Sequence, residues 1–207
     1  MSQQVLSGRA RVGRAATTLA QLVEGPPDPA LHAALPDLPW PIHDAEALRG
    51  VALLEESRLA GEHPDRLRLD HARLFRGVHD WSPVGTRGTP GRPPSAAPPS
   101  RPPVAPTGVP ADAERALRRL LGQVAGAGLL PGGWTPDLPG VLRAHAALAA
   151  VPAAGDAARW HGELVSEHLL TWGARCLTRV QLGAQTFCYQ GAAIVGLGVL
   201  RLAADPH

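Results

Sequence analysis

The stretch "LRLDHARLFRGVHDW", residues 67–81, places Asp70 next to His71, the side-chain types of a general acid–base pair. On a helix, adjacent residues point about 100° apart, so these two do not act together on one atom. The spacing of Leu67, His71, Leu74, Phe75 and Val78 puts His71 on a buried stripe with Asp70 beside it. A second polar cluster is His161, Glu163, Glu167 and His168, types that bind divalent metals. A helical zinc pair needs histidines at i and i+4 to share a face, and no further ligand motif accompanies this cluster. Solvated glutamates and partly buried histidines are the expectation, with no metal.

Nucleophilic chemistry finds no frame either. The chain has no Gly-x-Ser-x-Gly turn. Its two cysteines, Cys176 and Cys188, lack Cys-x-x-Cys spacing and fall on apolar helix faces, as buried thiols do in a reducing compartment. "GLGVL" at 196–200 has no strand before it, so it reads as close helix packing and not as a phosphate loop. Trp160, Leu164, His168, Trp172 and Cys176 lie four apart and form one ridge, mostly core. These residues predict a non-enzyme with no cofactor.

The elements that carry them are helices. Alternating β-branched runs are absent and aromatic residues make up 4% of the chain, so strand signals fail. Apolar positions recur at helical spacing from Val5 to Val23, and "EGPPDP" stops that helix. Asp28 and Asp44 read as N-caps, a further helix begins near Pro64 or Asp65, and another begins at Ala111 with Asp112 as its cap. A long helix spans about 156–181 and the last runs from about Ala184 to Ala203. Between Pro83 and Pro110, ten of 28 residues are proline, a composition expected to stay disordered. The expected fold class is all-α: one domain over residues 1–207, a bundle of seven or eight helices with 83–110 as a Pro-rich insertion.

The 20 arginines are spread among 18 acids, and lysine and asparagine are absent. This pattern reads as GC-rich coding and not as a basic nucleic-acid face. The amino-terminal residues lack a secretory pattern. The most apolar run, Gly191–Leu200, is ten residues, half of the ~20 that a spanning helix needs. A cytoplasmic protein with no stable membrane insertion is expected.

Several segments, taken in order, resemble the TorD/DmsD family of chaperones for molybdenum-containing redox enzymes, which includes the nitrate reductase assembly chaperones. "PPDPALHAALPDL" is similar to the family's short proline-flanked helix. "LDHARLFRG" resembles its Glu/Asp-Tyr-x-x-Leu-Phe-x-Gly helix end, with Asp70, His71, Leu74, Phe75 and Gly77 in the matching places. "AGLLPGGWTPDLPGVLRAHAALAAV" is similar to the segment in which members carry Pro-Asp-His. "SEHLLTWGARCLTRVQLGAQTFCYQGAAIVGLGVL" is similar to the closing helix pair.

The resemblance implies an all-helical fold and a chaperone that binds the twin-arginine signal peptide, or another part, of an apo-molybdoenzyme catalytic subunit during cofactor loading. It assigns peptide binding to Asp70, His71, Leu74, Phe75, Trp81, Asp137, Glu167, His168 and Trp172. Such a surface needs an apolar groove and acids for the two arginines. His71 stands where an aromatic is usual and Leu138 where a histidine is usual, and "VHDWSPVGTRGTPGRPP" keeps only Trp81 of the family's binding loop. Monomer and homodimer are both left open. So is a second reading, a non-enzymatic helical scaffold or adaptor that recruits partners through the Pro-rich tract.

Overall fold

The computed structural model describes residues 8–41, 44–75, 111–130 and 134–204, and every element among them is helical. The expected Pro-rich insertion at 83–110 lies outside the described residues, as does Trp81. The helices are α1 (Gly8–Glu24), α2 (Pro29–Ala34) with a 3-10 turn at Leu35–Asp37, α3 (Ala45–Leu59), α4 (Pro64–Phe75), α5 (Ala111–Gly126), α6 (Leu138–Ala150), α7 (Gly155–Glu163), α8 (Ala174–Gly183) and α9 (Phe187–Ala204). The residues between α7 and α8, Leu164–Gly173, are wound as a π-helix, so 155–183 is one continuous rod and the described residues form eight rods. The fold class is the all-α bundle expected from the sequence.

Local chemistry sets three of the helix starts. Asp28 accepts the Leu31 N–H at 2.7 Å and Asp44 accepts the Ala47 N–H at 2.7 Å, each capping a helix as read from sequence. Asp137 does the same for α6 through the Gly140 N–H at 2.9 Å. A cap of this kind contributes about 1 kcal/mol. Two expectations need correction. α5 begins at Ala111, so Asp112 falls inside its first turn and not before it. α9 begins at Phe187, since Gln185 and Thr186 form its N-terminal turn and Ala184 closes α8.

α9 is the central rod. It packs against α3, α8 and α1, while α1 also lies along α6. Although α9 is long and apolar enough by length and composition to cross a membrane, most of it is buried inside the bundle. Its close approach to α3 depends on two glycines. A Cβ at Gly191 would lie 2.7 Å from the Gly50 carbonyl oxygen, and one at Gly50 would lie 2.8 Å from a Val195 methyl. The main core joins Leu19, Leu54, Leu117, Leu142, Leu169 and Val195 with their neighbours, and a smaller cluster joins Leu74, Val180, Tyr189 and Ala193.

Candidate functional site

The densest polar constellation surrounds the N-terminus of α9. It begins with a glycine. Gly61, at φ 59°, ends α3 in the left-handed conformation that a side chain resists. Its N–H bonds the Arg58 carbonyl and the Glu62 N–H bonds the Ser57 carbonyl, both at 3.1 Å, the paired pattern of a Schellman motif. That turn points Glu62 inward. Glu62 is buried, its Oε1 accepts the Phe187 N–H at 2.9 Å, and its Oε2 accepts the Cys188 N–H at 3.1 Å.

Asp70 completes the cap from α4. Its Oδ2 accepts the Gln185 N–H at 2.9 Å, the Thr186 N–H at 2.9 Å and the Thr186 hydroxyl at 2.7 Å. Arg73 donates to Oδ1 and also reaches the Gly183 carbonyl, while Arg66 donates to the Gln185 carbonyl at 3.2 Å. The backbone N–H groups of residues 185–188 are thus held by two buried carboxylates. The Phe187 and Cys188 N–H groups are among the donors that a helix start otherwise leaves without acceptors, and the negative charge suits the positive end of the helix dipole.

Behind Glu62 stand Ser57 and His32. The Ser57 hydroxyl donates to Glu62 Oε2 at 2.6 Å, so His32 Nε2, 2.7 Å from Ser57 Oγ, is the donor to that oxygen. Serine, histidine and acid are present, yet in the wrong order for nucleophilic catalysis, where the histidine must take the serine proton and the acid must orient the histidine. Ser57 is also 0% exposed. The trio is a strut under the helix cap. Burial lowers the His32 pKa, with Glu62 opposing.

The other sequence-nominated residues fall in two places. At the α9 cap, His71 donates from Nε2 to the Val23 carbonyl at 3.0 Å, at the end of α1. Its ring centroid lies 4.9 Å from that of Phe75 and 5.9 Å from that of Tyr189. Leu74 is buried on Tyr189 and Val180, and Phe75 is half-buried with its ring 5.8 Å from Tyr189. The buried Tyr189 hydroxyl has no hydrogen-bond partner among the described residues, and burial drives its pKa up.

The second group sits on the π-helix. Glu167 is exposed, whereas His168 and Trp172 below it are buried, and among the described residues neither His168 nitrogen nor the indole Nε1 has a hydrogen-bond partner. Burial lowers the His168 pKa, opposed by Glu163 and Glu167. The π-winding is seen in the Ala174 N–H, which bonds the Leu169 carbonyl five residues back. It coincides with Thr171, whose hydroxyl takes the Glu167 carbonyl at 2.6 Å. π-turns often mark functional positions. Leu138 packs over Gly173, which brings the start of α6 beside Trp172, but Asp137 itself is spent on the α6 cap and on the Thr135 hydroxyl.

Sequence reading missed Glu62, Ser57 and Thr186. Thr186 carried a visible signal, a threonine directly before an apolar helix. Glu62 carried none, because its backbone donors, the Phe187 and Cys188 N–H groups, are 125 and 126 residues away. The partner of His161 was missed as well: it is His145, buried on α6, while His161 is half-buried as expected. Both cysteines are buried thiols, with Cys176 pushed up to about 11 and Cys188 to about 12 by burial. Among the described residues no three metal-binding side chains converge. A depression of about 510 Å³ is lined by Leu170, Thr171, Ala174, Arg175, Thr178 and Arg179; it borders the π-helix, but none of the nominated residues lines it. Comparison of the chain with models of known families, with curated proteins and with solved structures finds no match.

Proposed function

We propose that this chain is a cytoplasmic maturation chaperone of the TorD/DmsD type, without catalytic residue or cofactor of its own. Its client is the apo-catalytic subunit of a molybdenum-containing redox enzyme, recognised through the twin-arginine signal peptide or another segment. The observation that carries this reading is a convergence in space. The "LDHARLF" helix end and the "TFCY" segment each resemble the family separately, and they meet through Asp70 and Thr186, 116 residues apart, and through His71, Phe75 and Tyr189. Two segments matched for resemblance are therefore halves of one joint.

The acids divide between two jobs. Asp70 and Asp137 are committed to helix caps inside the chain. Glu167 is exposed, and among the described residues its carboxylate accepts only the neighbouring Ser166 hydroxyl at 3.4 Å, which leaves it to meet a client arginine by charge-assisted pairing. Deleting the gene is expected to lower the activity of the molybdoenzyme encoded beside it, with recovery when the gene is restored. Unchanged molybdoenzyme activity in the deletion strain overturns the proposal.

A further inference from the structure

α7 contributes no fully buried side chain to the bundle. Among the described residues, a hydrogen bond between two histidines joins it to α6. His161 Nε2 lies 3.0 Å from His145 Nδ1, and the rings stack with centroids 4.9 Å apart and planes 18° apart. One nitrogen of this contact must donate and the other accept, so the bond needs an unprotonated acceptor on one ring. His145 is 1% exposed and its Nε2 has no hydrogen-bond partner among the described residues, so a proton placed there is a buried cation with no described acceptor.

The charges around the pair offer no relief. Arg9, on α1, donates to the Leu148 carbonyl near the end of α6 and acts on both rings with the same sign as an added proton. On α7, Asp156 is taken by Arg159; on α6, Arg143 is paired with Glu24; on α5, Glu114 is taken by Arg118. Glu163 and Glu167 act on His168. Among the described residues, α1, α6 and α7 thus bring three basic groups together without a carboxylate to balance them.

We propose that the His145–His161 contact is an acid-sensitive latch, and that lowering the pH frees α7 from α6 while the core of α1, α3, α8 and α9 stays folded. Burial, His161 and Arg9 together hold His145 down to about 3, against 6.5 for a free histidine, and burial with Arg9 lowers His161 also. A group that binds its proton less readily in the closed state makes closure weaker as the pH falls. The latch is complete above 6.5 and is lost progressively between 6.5 and about 3. The rod changes to π-winding immediately after α7, at Leu164, which gives the release a natural end.

Hydrogen exchange of the full chain, corrected for intrinsic rates, tests this at about pH 7.5 and about pH 5.0. One proton taken up on opening raises the opening equilibrium about 30-fold between those values. Amides of Gly155–Glu163 should gain at least this factor relative to amides of α9. His145→Gln keeps an acceptor for His161 without a titrating group and should remove most of the response. Titration of the histidine ring protons by NMR gives a second reading on the unaltered chain, with one ring still neutral at pH 5. Equal pH response in α7 and α9, a full response in His145→Gln, or a ring that titrates normally overturns the latch.

Discussion

Asp70→Ala is expected to cost about 4 kcal/mol of folding stability, a large share of the ~5–15 kcal/mol typical of a domain. The loss follows from what the carboxylate holds. Its removal strands the Gln185 and Thr186 N–H groups and the Thr186 hydroxyl, and it takes from Arg73 its ion-pair partner. Each buried polar group left without a partner costs about 1–3 kcal/mol, partly offset where water enters. Asp70→Asn should cost less, about 2 kcal/mol, because an amide oxygen can keep the two backbone donors while its NH₂ faces Arg73. Urea unfolding followed by circular dichroism gives both values. An Asp70→Ala midpoint equal to that of the unaltered chain contradicts the capping role. It would return Asp70 to the recognition role that its motif first suggested.

Gly191→Ala is the second large effect, with an expected cost of about 2 kcal/mol despite the better helix propensity of alanine. The new methyl carbon would stand 2.7 Å from the Gly50 carbonyl oxygen and 3.0 Å from the Leu54 nitrogen. Both are backbone atoms of α3, so relief requires one helix to move away from the other, and interiors packed to crystal density resist that. Gly162→Ala provides the opposite sign. It lies inside α7 with nothing within 4 Å of the added carbon, and is expected to stabilise by about 0.5–1 kcal/mol. Thermal unfolding of the pair should move the two midpoints in opposite directions. A stabilised Gly191→Ala chain would show that α3 and α9 do not cross as closely as described.

The elements legible in the sequence are those whose causes are local. Asp28 and Asp44 cap helices three residues ahead of them, and proline and glycine stop α1 at Glu24; each signal lies within a few positions of its effect. His71 was placed on the buried stripe by the 3/4 spacing of its neighbours, and it is buried. What that spacing cannot show is the acceptor, the Val23 carbonyl 48 residues back. Asp70 illustrates the same limit more sharply. Its neighbours suggested a recognition acid, while its partners lie in the α8–α9 turn, which periodicity ran together as helix from Ala184. The π-winding of Leu164–Gly173 was invisible for a different reason: residues four apart, Leu164, His168 and Trp172, stay on one buried face in either winding. The second carboxylate of the cap, Glu62, is a charged residue in a turn. Only the geometry set by Gly61 makes it an inward one.

The functional proposal is tested most directly by calorimetric titration of the full chain with the twin-arginine leader peptide of the molybdoenzyme encoded beside it. Saturable binding is expected, weakened when both leader arginines are replaced by alanine and weakened by a similar factor when the intact leader meets the Glu167→Gln chain. Absence of binding by any co-encoded leader, or binding indifferent to the two arginines, contradicts twin-arginine recognition by this chain.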